Sequence, residues 1–175
     1  TNIDDSFAYD TKINATFAIS FSTIKIKGSH NDLPEINRWA FKKANFLGDS
    51  ITAGTGTTTT FHSLLKERIP LSVARNYGIG GSRIADGSTP MYSRALTMDV
   101  DADLVFVFGG TNDFNSDTTL GSLYTLDENG KRIANVDTTT FYGALHQLCI
   151  NLMTRFVGKQ VILMTPIHRG VFNTQ

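Results

Sequence analysis

Phe46-Leu47-Gly48-Asp49-Ser50-Ile51-Thr52-Ala53-Gly54 is an apolar run that stops at Gly-Asp-Ser and passes into a Gly/Thr-rich turn. The pattern predicts a strand that ends near Gly48 and a helix that starts beside Ser50. A serine in that place can expose its hydroxyl and point its backbone N–H into a cleft. Two later segments share the arrangement: Asn76-Tyr77-Gly78-Ile79-Gly80-Gly81 and Gly109-Gly110-Thr111-Asn112-Asp113. Each follows an apolar run of its own.

Working outward, strands and helices alternate from Ala44 on. Ala44–Gly48 reads as a short strand, Thr57–Ile69 as a helix closed by Pro70, and Leu71–Tyr77 as the next strand. Pro90–Met98 suits a short helix. Asp103–Phe108 is a continuous apolar run, as expected of a strand covered on both faces. Asp127-Glu128-Asn129-Gly130 marks a small hairpin inserted after the third strand. Phe141, Leu145, Leu148, Leu152 and Phe156 recur at helical spacing, with Asp137 and Thr138 as expected caps, and Val161–Met164 is a fourth strand. This alternation implies a three-layer α/β domain on a parallel sheet of flavodoxin-like type, with helices on both faces. Ligands of such sheets bind outside the carboxyl ends of the strands, where Ser50, Gly81 and Asn112 would meet.

Residues 1–38 read differently. Phe17, Ile19 and Phe21 alternate, followed by Ile24 and Ile26, so this part is β-rich. It is either an N-terminal extension of residues 39–175 or the tail of a preceding module.

Composition narrows the function classes. The chain has 175 residues, with 16 basic and 16 acidic side chains and no net formal charge, which gives no electrostatic reason to expect nucleic acid as a partner. No apolar run is long enough to suggest a membrane span. Cys149 is the one cysteine, expected to be buried as a small apolar residue in the amphipathic helix. No metal-ligand cluster or nucleotide motif calls for a cofactor. No lysine follows the glycines after Ser50, and Arg83 stands where a dinucleotide fingerprint needs its third glycine, so phosphate-cradle readings fail.

Acyl transfer needs a nucleophile, donors for an oxyanion and a base. Ser50 can supply the first. Its own N–H, the N–H of Gly81 and the side-chain amide of Asn112 can supply the donors, and a glycine at 81 allows close approach of an ester oxygen. Asp49 and Asp113 adjoin these residues and are expected to hold their loops through hydrogen bonds to backbone N–H groups.

Gly48-Asp49-Ser50, the Asn76–Gly81 loop and Gly109–Asp113 together resemble the first three blocks of the SGNH hydrolase superfamily, the GDSL esterases and lipases. The resemblance covers about residues 44–169. It implies that Ser50 is the nucleophile and that Gly81, whose offset from Asn76 fits the family loop better than that of Gly78, completes the oxyanion hole with Asn112. It implies a serine esterase acting on short-chain acyl esters: O-acetyl carbohydrates, small esters or lysolipids. The family carries its acid and base in a late Asp-x-x-His block, and no Asp here is followed three residues on by His. The domain is therefore expected to be incomplete at its C-terminus, with an exposed strand edge that favours self-association. A non-catalytic carbohydrate-binding or interaction module on the same fold is the alternative.

Among the histidines, His30 falls in a loop and His62 is expected at the surface of the helix after Ser50. His146 falls in the amphipathic helix. His168 alone follows a strand end. In the family's strand order its backbone lies about 10 Å from that of Ser50, so it either lines the cleft or serves as the base.

Overall fold

The structure, a computed structural model, describes residues 39–166. In chain order its elements are β1 (Lys43–Gly48), α1 (Ser50–Ala53), α2 (Phe61–Arg68), β2 (Val73–Gly78) and α3 (Met91–Arg94), which runs into a 3₁₀ turn at Ala95–Thr97. There follow β3 (Leu104–Phe108), α4 (Thr111–Asn115), β4 (Tyr124–Leu126), β5 (Arg132–Ala134), α5 (Phe141–Arg155) and β6 (Gln160–Met164). The β-rich character expected of residues 1–38, His30 and His168 lie outside the described residues.

β1, β2, β3 and β6 form one parallel sheet in the order β2-β1-β3-β6. The chain steps from β1 to β2, then crosses back over β1 to β3. The direction of winding thus reverses between β1 and β3, the position where such sheets open a crevice. β4 and β5 are the inserted hairpin, closed by Asp127, whose carboxylate accepts from the backbone N–H groups of Asn129 and Lys131.

Strand side chains alternate between two cores, as the period of two demands. Leu47, Val105 and Val107 face Ala144, Leu148, Leu152 and Phe156 of α5 and its C-terminus, together with Met91, Ala95 and Met98. Ala44, Phe46, Leu104, Phe106 and Ile162 face the other way, against Phe61, Leu65 and Ile69 of α2 and its end. The Phe46 and Phe106 rings stack at 4.7 Å. At the sheet's rear end, Arg75 pairs with Asp99 at 2.8 Å and Asp101 at 2.9 Å, while Lys43 bonds Asp101 at 2.6 Å.

Four local expectations are corrected. α2 starts at Phe61 rather than Thr57. Gly54 and Gly56 take positive φ, Thr57 and Thr59 close a turn, and Thr60 caps the helix by accepting from Ser63 N–H. α5 is capped by Thr140, which accepts from Gly143 N–H, because Asp137 is spent on Thr139 in the preceding turn. His62 is buried rather than exposed, with its ring 5.2 Å from that of Phe46 and 5.7 Å from that of Phe61. Cys149 is half-buried, and burial raises its thiol pKa.

Candidate active site

The carboxyl ends of three strands are level: Gly48 registers with Gly78 on one side and with Phe108 on the other. Ser50, Gly81 and Asn112 follow these ends at two, three and four residues, so all three stand at the same sheet edge.

The Ser50 turn is tight because glycine makes it so. A Cβ on Gly48 would lie 2.0 Å from Thr52 Oγ1 and 2.7 Å from the Phe108 carbonyl, and one on Gly78 would lie 2.1 Å from Ala53 N. One-turn helix α1 therefore sits directly on the ends of β1 and β2. Asp49 is its N-cap and accepts from Ile51 N–H at 2.9 Å. Gly54, at φ +87°, ends the turn by donating to the Ser50 carbonyl. Ser50 is thus the first helical residue, whose N–H has no acceptor within the helix, and its side chain is half-exposed.

The second loop leaves β2 through Asn76, whose side chain accepts from Gly78 N–H at 2.8 Å. Gly81 follows in a left-handed conformation, φ +74°, and a Cβ there would meet nothing within 4 Å. Its N–H makes no hydrogen bond to another described residue. The third loop turns at Gly110, φ +106°, which caps α4. Asn112 donates from Nδ2 to the Ser82 carbonyl at 2.9 Å, which leaves the second N–H of its amide free of that contact. Asp113 is buried and accepts from Ile84 N–H at 2.8 Å and Ala85 N–H at 2.9 Å. The third loop therefore grips the second twice.

Burial raises the Asp49 carboxyl pKa; the Ile51 hydrogen bond and the Arg94 guanidinium act against this, and nearby Asp113 adds to it. Arg94 and Ser82 are residues that motif reading does not single out. Arg94 Nη2 donates to the Gly48 carbonyl at 2.9 Å and to Ser82 Oγ at 2.6 Å, Nη1 donates to the Tyr77 carbonyl at 2.5 Å, and Nε to the Thr89 carbonyl at 3.2 Å. Burial lowers the Arg94 pKa, and Asp49 opposes that. The signal in the sequence is a charge on the inner side of a short helix: Met91, Ala95 and Met98 are buried, and Arg94 shares their side.

A cleft of about 390 Å³ is lined by Gly110, Asp113, Phe114, Asp117, Thr118, Leu120 and Phe141, and none of Ser50, Gly81 and Asn112 is among its lining residues. The two described histidines are engaged elsewhere. His62 Nδ1 lies 3.2 Å from Thr60 Oγ1 within the core, and His146 Nδ1 lies 2.9 Å from the Asn135 carbonyl. Among the described residues no cluster of three metal-ligating side chains occurs, and no helix is long and apolar enough to cross a membrane.

Residues 46–174 match the GDSL-like lipase/acylhydrolase family. Among solved structures, a protein from Lactobacillus plantarum is similar at 36% identity and a TM-score of 0.65, over 75% of this chain and 59% of that one. The chain thus spans less than two thirds of that relative. A protein described as a GDSL-like lipase from Bacteroides uniformis matches at 18% identity and TM-score 0.57, over 74% of this chain and 73% of that one. Another so described, from Bacteroides ovatus, matches at 17% identity and TM-score 0.53, over 71% and 72%. At those identities the last two speak for the fold alone. No curated protein matches the chain.

Proposed function

Because the chain belongs to the GDSL-like lipase/acylhydrolase family, we propose that it is a serine esterase that removes short acyl groups through Ser50. The observation that carries the reading is the level ending of β1, β2 and β3, which sets Ser50, Gly81 and Asn112 on one edge.

In this reading Ser50 Oγ attacks the ester carbonyl as a base takes its proton. The carbonyl oxygen becomes an oxyanion that accepts from Ser50 N–H, Gly81 N–H and Asn112 Nδ2. Collapse expels the alcohol, which takes up a proton, and leaves an acyl-serine. Water then attacks the acyl carbon, the same donors hold the second oxyanion, and the carboxylic acid leaves as Ser50 regains its proton. Donors already fixed by backbone loops need little rearrangement at the transition state, which is why such a site is effective. His168, beyond β6, is assigned either to the cleft wall or to the base. The substrate in this reading is a small ester, an O-acetyl carbohydrate or a lysolipid.

Hydrolysis of p-nitrophenyl acetate by the protein, beside Ser50→Ala and His168→Ala, tests this. Turnover abolished in Ser50→Ala supports the esterase; loss in His168→Ala as well makes that histidine the base. Turnover equal in wild type and Ser50→Ala, with acylated glycan still bound, overturns it in favour of a non-catalytic module.

A further inference from the structure

We propose that Arg94 is the positioning residue that holds the Ser50 turn, the Gly81 loop and Asn112 in one donor arrangement. The proposal rests on the esterase reading above. It stands on four hydrogen bonds from a single guanidinium, none of them to a residue that would touch substrate.

The contacts fall at the joints of the site. Gly48, whose carbonyl takes Nη2, immediately precedes Asp49-Ser50. Tyr77, whose carbonyl takes Nη1, is the last residue but one of β2 before the Gly81 loop. Ser82, whose hydroxyl takes Nη2 as well, directly follows Gly81 and is fully buried. That hydroxyl donates onward to the Thr89 carbonyl at 2.6 Å, and the carbonyl of the same Ser82 accepts from Asn112. A continuous chain of contacts therefore runs from Gly48 through Arg94 and Ser82 to Asn112. The Gly48 carbonyl also accepts from Ile79 N–H at 3.1 Å, so Arg94 is its second donor and ties it to the other loops rather than rescuing an unpaired group. A planar guanidinium with five N–H groups can serve several acceptors at once, whereas an ammonium is a point donor and cannot span them. Nearby Asp49 opposes the lowering that partial burial imposes on the Arg94 pKa.

Displacing a donor by about 1 Å can cost about a hundredfold in rate. Arg94→Ala is accordingly expected to lower kcat for p-nitrophenyl acetate by about a hundredfold with KM nearly unchanged. Millimolar guanidinium, but not sodium chloride of equal ionic strength, should restore part of kcat. Arg94→Lys should remain impaired, because its charge is kept and its reach is lost. Ser82→Ala, which removes one link, should lose less, and its effect should not add to that of Arg94→Lys. Should Arg94→Ala fail to fold, the Lys and Ser82 variants carry the test. A wild-type rate in Arg94→Lys overturns the proposal and leaves the esterase standing. Full additivity of Arg94→Lys with Ser82→Ala, or kcat and KM moving together without guanidinium rescue, likewise overturns it. A wild type without Ser50-dependent turnover overturns the esterase reading and the proposal with it.

Discussion

Asn112 Nδ2 donates to the main-chain carbonyl of Ser82 at 2.9 Å, so the third strand's loop fixes its amide on the second strand's loop. That bond orients the amide plane and leaves one N–H to point elsewhere. Asn112→Ala should therefore lower kcat by about 10²–10³ with little change in KM, the effect of deleting one oxyanion donor. Asn112→Asp should be worse, since a carboxylate would face both the Ser82 carbonyl and a developing negative charge. Steady-state kinetics on p-nitrophenyl acetate, with the melting temperature as control, checks both. Equal kcat in wild type and Asn112→Ala would remove this residue from the site.

Asp113 holds the same loop from beneath, by accepting from Ile84 and Ala85 N–H groups in a buried setting. Alanine there would strand two buried donors at about 1–3 kcal/mol each. Asn would keep one acceptor and set an amide NH₂ against the other N–H. Urea denaturation should rank wild type above Asp113→Asn and Asp113→Asn above Asp113→Ala. If Ala and Asn prove equal, the two-donor grip is not what holds the loop.

The sheet was legible in the sequence chiefly through the apolar runs of β1, β3 and β6, whereas the edge strand β2 carries Arg75 and Asn76. Asp103–Phe108 is the clearest case, and Leu104–Phe108 is the buried strand found. Ser50 and Asn112 were legible as positions for the same reason, and Gly81 through the glycines that follow β2. What sequence reading lacked is anything set by contact across the fold. His62 falls on α2 at a spacing that leaves its face undecided, and only packing against Phe46 makes it a core residue. The Thr140 cap depends on Asp137 being engaged in its own turn. Arg94 carries no motif, and its acceptors belong to residues from 5 to 46 positions away.

His62 makes a pH dependence of stability. Burial lowers its pKa below the ordinary value of 6.5, against a smaller opposing effect of the Thr52 backbone, and its Nε2 has no hydrogen-bond partner among the described residues. Below pH 6.5 the unfolded chain takes up a proton that the folded chain refuses, so stability is fully present above that pH and falls as pH drops toward the folded-state pKa. One such group contributes at most about 1.4 kcal/mol per pH unit. The raised Asp49 carboxyl has the opposite sign: the folded state takes up its proton first, which offsets part of the loss at lower pH. The difference in unfolding free energy between wild type and His62→Gln, measured by urea denaturation from pH 8 to pH 5, should be level above about pH 7 and change below about pH 6. A difference curve level throughout would show that the ring titrates alike in both states.

Two glycines of the second loop separate close packing from backbone conformation. Gly78 has no room: a Cβ would lie 2.1 Å from the Ala53 nitrogen and 2.6 Å from the Thr52 carbonyl carbon, both main-chain atoms of the helix that carries Ser50. Gly81 has room on every side, but its φ of +74° costs an L-residue about 1–2 kcal/mol. Gly78→Ala should thus push α1 off the strand ends, lowering both stability and turnover, with several kcal/mol lost as expected for overpacking against backbone. Gly81→Ala should lose only about 1–2 kcal/mol of stability. On the esterase reading its loss of kcat should nevertheless be large, because relief of the left-handed strain would rotate the Gly81 N–H out of the position proposed for it. The two variants are told apart by plotting kcat against melting temperature. If Gly81→Ala loses stability alone, that N–H is not an oxyanion donor, and the space in front of it has another use.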